Sequence, residues 1–172
     1  DFRQKHGAHQ YFDTIRGFSH FIMKFSIITK KLLWSTGFKA TLTDMTRDKQ
    51  GNVIFLGMAL QSNDTLPVVQ HTGSYWQPMR AGNHDLFISA FNQADSLIYS
   101  THIGGSDMEI SGGITSFDDY LFITGYSKSG LANTIPYPLA NLGGTPAAWW
   151  QPDNNNGTYA TGVISRFNFS ST

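Results

Sequence analysis

The stretch "SLIYSTHIGG" (Ser96–Gly105) has a near copy earlier in the chain. In "KLLWSTGF" (Lys31–Phe38), large apolar residues again precede an aromatic residue, a Ser-Thr pair and a nearby glycine. Leu33–Thr36 superposes on Ile98–Thr101 at an offset of 65 residues. A near copy at this distance indicates a repeat architecture.

A second motif occurs three times and has an isoleucine in second place and a phenylalanine in fifth. Because side chains alternate across a strand, positions one, three and five lie on one face. We expect this face to pack into the core and to end in the phenylalanine. The three copies are "FIMKF" (Phe21–Phe25), "FISAF" (Phe87–Phe91) and "VISRF" (Val163–Phe167).

A third motif occurs twice and ends in a glycine. "GNVIFLG" matches "DYLFITG" so that Gly57 falls on Gly125, at an offset of 68 residues. A weaker strand precedes each copy, near Met45 and around Ile114. The intervening turns are rich in turn-forming residues, which predicts a hairpin in each case.

These motifs combine into a unit of four strands. Strand A lies near Met45, B is "NVIFLG", C is "LFISAF" and D is "LIYST", with a long loop between B and C. The chain then runs C-D, A-B-C-D, A-B-C, which is nine strands. This order predicts an all-β fold of four-stranded antiparallel β-propeller blades, about two and a quarter of them. A parallel β-helix is the competing architecture, but its repeats are far shorter.

We predict that all the blades belong to one propeller domain. It would consist of a partial blade at residues 1–40, a full blade at 41–103 and a blade without its last strand at 104–172. Propellers close with typically four to eight blades, so we expect the chain to be a fragment of a larger propeller. Gly104 and Gly105 would allow a positive φ or a close approach where one blade crosses into the next.

The string "LIYSTHIGGS…GGITSFDDYLFITGYS" resembles the SBBP repeat, a β-propeller repeat of bacteria. The resemblance extends over roughly residues 18–169. It departs from the family pattern where the first copy has "STGFKA" in place of the glycine pair and where "SFDD" replaces the usual turn. The matching positions are Tyr99-Ser100-Thr101 with Gly104-Gly105, Gly113-Ile114, Gly51-Asn52-Val53 with Gly57, Phe122–Gly125, and Asp85 with Phe87, Ile88 and Phe91.

The resemblance implies a large secreted or surface protein of the kind found in Bacteroidota, where such repeats are joined to adhesion modules. We therefore expect an extracellular or cell-surface location. The expected partners are the remaining propeller blades, a protein or glycan, and an envelope or outer-membrane assembly.

The charge composition argues against a nucleic-acid partner. Twelve Lys and Arg balance twelve Asp and Glu, whereas phosphate binding needs a basic surface. Nine of the twelve basic residues nevertheless lie in residues 1–49, against four aspartates. The chain has no cysteine, and no run approaches the roughly 20 apolar residues of a membrane-spanning helix.

No catalytic constellation emerges from the sequence, and no cofactor is predicted. Glu109, near Asp107, is expected to lie in a solvated turn, and His71, His84 and His102 are expected on the polar surface. The Ser-Thr pairs are expected to form cross-strand hydrogen bonds.

The loop "QPDNNNGTY" (Gln151–Tyr159) is a weak candidate for a calcium site. Asp153 and Asn155 could supply oxygen ligands, and Asp153 is the only acid in the loop. Calcium loops need alternating acids and a distal bidentate acid. An ordinary turn is therefore the favoured interpretation.

The long loops between strands B and C are the most suggestive places for binding, because loops on a rigid scaffold often carry function. Both contain an aromatic pair that could anchor a protein or stack on a sugar. Since the pair recurs at the same place, we favour packing against the blade or its neighbour. The aromatic residues are Tyr75, Trp76, Trp149 and Trp150, with Tyr126 and Tyr137 nearby.

The leading hypothesis is a non-catalytic binding or scaffold module that contacts protein or glycan through its loops. The first alternative is part of a propeller enzyme, of the glycosidase or lyase type, whose catalytic residues lie mostly in other blades. The second alternative is a purely structural spacer, because fold alone does not determine function.

Overall fold

All the secondary structure of the described residues is β-strand, as predicted. The computed structural model describes residues 20–60, 66–129, 135, 137–138 and 161–168. The strands are β1 (His20–Phe25), β2 (Leu32–Phe38), β3 (Thr41–Arg47), β4 (Val53–Ala59), β5 (Asp85–Phe91), β6 (Leu97–Ile103), β7 (Glu109–Phe117), β8 (Tyr120–Ser127) and β9 (Thr161–Asn168).

The strands form three antiparallel sheets in chain order. The first sheet is β1-β2, the second is β3-β4-β5-β6 and the third is β7-β8-β9. The predicted grouping C-D, A-B-C-D, A-B-C is therefore confirmed. The pairs β1-β2, β3-β4, β5-β6 and β7-β8 are local hairpins in which turn-forming residues separate short apolar runs, whereas long segments join β4 to β5 and β8 to β9.

The second sheet lies between the other two. One of its faces packs on the first sheet and the opposite face packs on the third. Its strand β5 is buried at all seven positions, since it is central in its sheet and covered on both faces. Towards the first sheet the core contains Ile22, Trp34, Phe38, Phe87 and Phe91. Towards the third sheet it contains Ile54, Leu56, Ile88, Ile123 and Val163.

The repeated phenylalanine faces the preceding sheet in the second and third copies. Phe91 is buried against the first sheet, and Phe167 packs on the core shared by the second and third sheets. The prediction of a packed position is wrong for Phe25, whose side chain is 55% exposed. Among the described residues, no sheet precedes the first one to cover this face.

Strands β3 and β7 form a polar seam between the second and third sheets. The Oγ atoms of Thr43 and Ser111 are 2.6 Å apart, and Ser116 Oγ donates a 2.6 Å hydrogen bond to the carbonyl of Arg47. Thr43 and Ser111 are 68 residues apart in the chain, which is the offset between Gly57 and Gly125. Equivalent strands of successive units therefore lie side by side.

Gly57 and Gly125 occupy equivalent places opposite an irregularity in the neighbouring strand. The register shifts next to each of them, in β3 and in β7. A Cβ at Gly57 would lie 2.4 Å from the carbonyl oxygen of Thr41, and one at Gly125 would lie 2.4 Å from that of Ile110. The bulged strand approaches so closely that only glycine fits.

Within the part of the chain that the structure describes, no helix is long and apolar enough to cross a membrane.

Candidate functional site

The loop between β4 and β5, described from Leu66 to His84, runs along the outer edge of β6. Val69 and Ser100 exchange both backbone hydrogen bonds, at 3.2 and 2.9 Å. The loop turns over His71–Ser74, with Gly73 at a φ of 78°, and returns so that the amide of His102 donates to the carbonyl of Gln77 at 3.1 Å. The loop thus satisfies backbone groups that an edge strand would otherwise leave open.

The Ser-Thr pair of β6 anchors this loop. Ser100 Oγ donates to the carbonyl of Pro67 and accepts from the amide of Val69 at 2.8 Å. Thr101 Oγ1 accepts from the amide of Gln77 at 2.7 Å. The expected cross-strand bonding is therefore wrong for these two side chains, because their partners belong to the loop or, for Thr101, also to the adjacent His102 carbonyl.

Replacing Ser100 by alanine should lower the free energy of unfolding by roughly 1–2 kcal/mol, since the half-buried Pro67 carbonyl and the Val69 amide lose their side-chain partner. Ser89 is the matched control. It faces Ser100 across β5 and β6, and its buried Oγ has no hydrogen-bond partner. Ser89→Ala should therefore cost little or stabilise the protein. Urea unfolding of both variants measures the difference, and equal losses would contradict the anchoring role.

The aromatic residues predicted as binding candidates differ in burial: some pack into the core and others are exposed. Tyr75 is half-buried and its ring packs on that of Phe167, tilted by 60° with the centroids 5.7 Å apart, which is a packing contact of the kind favoured above. Tyr137 is buried in the core and its hydroxyl lies 2.9 Å from Ser165 Oγ. Trp76 and Tyr126 remain exposed, on the loop and on the third sheet. The predicted pair Trp149 and Trp150, and the calcium candidates Asp153 and Asn155, lie outside the described residues.

Asp85 and Glu109 form a buried pair of carboxyl groups beside Gly104. An ideal Cβ on Gly104 would lie 2.5 Å from Asp85 Cγ and 2.5 Å from Glu109 Oε2, so the two groups are within about 5 Å of each other. Both residues are completely buried. The prediction that Glu109 lies in a solvated turn is therefore wrong, because β7 begins at this residue and directs it into the interior.

Hydrogen-bond donors surround both carboxyl groups. Asp85 accepts from Gln77 Nε2 at 2.8 Å and from the amides of Ala81 and Gly82 at 2.9 and 3.2 Å. Glu109 accepts from Ser127 Oγ at 2.6 Å and from the amide of Gly105 at 3.0 Å. These bonds tie together the loop, the crossing from β6 to β7, and the end of β8.

Burial raises the pKa of both carboxyl groups. For Asp85 the pKa is raised by burial and lowered in part by its hydrogen bonds and by Arg80. For Glu109 the pKa is raised by burial and by the charge of Asp85, against hydrogen bonds from Ser127, Ser129 and Gly105. Each group therefore holds its proton more tightly in the folded protein than in the unfolded chain.

Retaining glycoside hydrolases use two carboxyl groups about 5 Å apart, and this pair is at least as close as that. Here the two groups are completely buried and the backbone of Gly104 lies against both. A substrate cannot reach them without displacing this segment. The pair therefore joins chain segments and is not an accessible catalytic site.

Neighbouring atoms approach Gly104 and Gly105 too closely for a Cβ to fit. Close approach was one of the two roles predicted for these glycines, and a positive φ was the other. Neither is among the positive-φ residues. A Cβ on Gly105 would lie 2.4 Å from the carbonyl oxygen of Ile135 and from Ser129 Cβ. The glycine pair thus lets the crossing segment pass between the two carboxyl groups and the segment around Ser129.

His102 is buried, and the prediction that it lies on the polar surface is wrong. Its ring lies 5.0 Å from that of Phe87, and its Nδ1 has no hydrogen-bond partner. Burial, with a smaller effect of Arg80, lowers the pKa of His102 to about 4. The imidazole is therefore neutral at physiological pH.

An open groove of about 520 Å³ lies beside the anchored loop. It is formed where the loop, the β3–β4 turn and the β5–β6 turn meet. Asn92 Oδ1 accepts from the amides of Ala94 and Ser96, both at 3.0 Å, which fixes the orientation of its amide group. The lining residues are Gln50, Asn52, Val69, His71, Asn92, Leu97 and Ile98.

In the described ranges, no group of three or more His, Asp or Glu side chains is arranged to hold a metal ion. No protein-family model matches the chain, and no curated protein matches it.

Sequence reasoning did not identify this groove or the carboxyl pair. The groove residues are ordinary turn and strand residues, and Asp85 and Glu109 are separated by a whole hairpin. The glycine pair was the one available signal, since close approach at Gly104 implies that bulky groups lie on either side.

Proposed function

We propose that the chain is a non-catalytic binding or scaffold module of a bacterial cell-surface or secreted β-propeller protein. Its blades are the three sheets, and it contacts protein or glycan through loops. The observation that carries this proposal is the β4–β5 loop, which Ser100, Thr101 and Gln77 fix to β6 beside an open groove. A loop held by a rigid sheet can present side chains to a ligand with little loss of conformational freedom.

The propeller arrangement is supported by the repeated isoleucine of the C strands. Ile22 and Ile88 are buried because each faces the following sheet. Ile164, at the equivalent position of β9, is 73% exposed on the outer face of the third sheet. Together with exposed Phe25 on the outer face of the first sheet, it marks where further blades of the same repeat would pack.

The chemistry of the groove fits a glycan. Amide groups of Gln50 and Asn92 can exchange hydrogen bonds with sugar hydroxyls, and His71 adds an imidazole ring. Val69 and Ile98 provide apolar surface for the C–H faces of a sugar ring.

Replacing Gln50 and His71 together by alanine should reduce oligosaccharide affinity tenfold or more, because each lost hydrogen bond contributes about 1 kcal/mol. Titration with galactose-, mannose- and N-acetylglucosamine-containing oligosaccharides, followed by NMR, measures the affinity. Met79→Ala is the control, since Met79 is exposed on the same loop but does not line the groove. Unchanged affinity in the double variant, or no binding by the wild type, would refute the groove as a glycan site.

A further inference from the structure

The turn between β1 and β2 exposes two neighbouring isoleucines. Ile27 is 90% exposed and Ile28 is 88% exposed. Lys30 and Lys31 follow them and are exposed as well. Apolar side chains at an apex followed by lysines form a small amphipathic tip.

Hydrogen bonds hold this tip in place. The amide of Lys30 donates to the carbonyl of Ser26 at 2.8 Å, and the amide of Ser26 donates to the carbonyl of Lys31 at 3.0 Å. Ser26 Oγ also accepts from the amide of Thr29 at 3.0 Å. The isoleucines are therefore held away from the core by an ordered turn.

The β5–β6 turn shows which residues the equivalent turn of the second unit carries, and it can be compared with the turn that holds the two isoleucines. It occupies the equivalent place in the second unit and carries Gln93 and Ala94, both exposed, where the first unit has Ile27 and Ile28. This second turn belongs to a sheet that is covered on both faces, yet its tip still faces solvent. The lack of a covering sheet among the described residues explains exposed Phe25 but does not explain the two isoleucines.

The charges around the tip favour an anionic partner. Lys24 Nζ is 2.6 Å from Asp95 Oδ1, and Lys49 Nζ is 2.5 Å from Asp119 Oδ1. Each of these ion pairs neutralises one lysine and one carboxylate, so Lys24 and Lys49 add no net charge. Lys30 and Lys31 thus add positive charge next to the apolar apex, in the part of the chain where basic residues are concentrated.

We propose that the tip Ile27–Lys31 docks the protein on an anionic lipid surface, with the two isoleucines inserted among the acyl chains and the two lysines at the headgroups. A narrow apex can bury its side chains in a deformable interface, and such docking combines apolar insertion with attraction to anionic lipids. This inference is independent of the groove and its ligand.

Sedimentation with vesicles of phosphatidylcholine, with and without about one third phosphatidylglycerol, tests the proposal. The wild type is expected to bind the anionic vesicles more strongly. The double variant Ile27→Gln/Ile28→Ala, which copies the residues of the β5–β6 turn, should bind on the order of tenfold more weakly. Lys30→Glu/Lys31→Glu should lose the preference for anionic vesicles.

Two controls separate docking from general hydrophobicity and from unfolding. Met79→Ser removes a side chain that is 75% exposed on another loop, and it should leave vesicle binding unchanged. Thermal unfolding of each variant checks that it is folded. Because the chain has no cysteine, a polarity-sensitive dye on Ile28→Cys reports insertion directly, and a dye on Met79→Cys should not respond.

A blue shift of the Ile28→Cys label on anionic vesicles is the expected result. The proposal is overturned if the wild type does not bind anionic vesicles. It is also overturned if the isoleucine variant binds as well as the wild type, or if both labels respond alike. Binding of the tip to a protein in place of vesicles would reassign it as a protein contact.

Discussion

Replacing Gly104 by alanine is expected to lower the free energy of unfolding by about 3 kcal/mol, or to prevent folding. The new Cβ would lie 2.5 Å from both Asp85 Cγ and Glu109 Oε2, where real Cβ atoms do not occur. Neither carboxyl group can easily move aside, because both are completely buried and held by hydrogen bonds. The clash must therefore separate the loop, the crossing segment and β7.

Gly162 provides the matched control for this prediction. It lies in β9 without a positive φ, and a Cβ there would meet nothing within 4 Å. Gly162→Ala should change the free energy of unfolding by no more than about 0.5 kcal/mol. Urea unfolding measures both variants, and a Gly104→Ala protein as stable as Gly162→Ala would show that the close approach is unimportant.

The second large effect is on the pH dependence of stability. The pKa of Glu109 is raised above its ordinary value of 4.5, chiefly by burial and also by Asp85. Between pH 4.5 and the raised pKa, Glu109 keeps its proton in the folded protein but has released it in the unfolded chain. The stability that Glu109 contributes is therefore fully present below pH 4.5 and falls as pH rises towards the raised pKa. The loss is about 1.4 kcal/mol for each unit by which the pKa is raised.

Glu109→Gln should remove this loss, because the amide does not ionise next to Asp85. The stability of the variant relative to the wild type is expected to improve as pH rises from about 4.5 to 8. The difference between the two proteins is the informative quantity, since buried His102 acts in the opposite direction. Because the pKa of His102 is lowered to about 4, the folded protein loses stability as pH falls below 6.5.

Urea unfolding at several pH values measures this difference. Asp118→Asn controls for the loss of one negative charge, because Asp118 lies in the exposed β7–β8 turn. Parallel stability curves for the wild type and Glu109→Gln would contradict the prediction. A change in the Asp118→Asn curve equal to that of Glu109→Gln would assign the effect to net charge.

The strands and their grouping into sheets could be predicted because their determinants are local. The Ile-x-x-Phe spacing of the C strands and the turn residues between apolar runs fix period, length and pairing. Burial of individual side chains was less predictable. Phe25 and Phe91 have the same local pattern, and only the presence of a neighbouring sheet separates an exposed ring from a buried one.

The candidate site was likewise predictable only in part. The sequence marked the aromatic loops as the most suggestive places for binding but favoured packing for their aromatic pair. Tyr75 packs on Phe167, and the groove is lined by other residues. Its lining comes from two turns, a strand and a loop that are distant in the chain. No short sequence pattern predicts that these segments lie close together, because their proximity depends on how the hairpins pack.

The motif "SLIYSTHIGG" shows both what the sequence determines and what only the tertiary structure decides. The sequence by itself determined that this stretch is the last strand of a repeated unit, since alternation and turn chemistry act over a few residues. Only the tertiary structure decided that Ser100 and Thr101 hold a loop and that Gly104 lies against two buried carboxyl groups. Those roles depend on distances between segments far apart in the chain, which are set when the sheets pack.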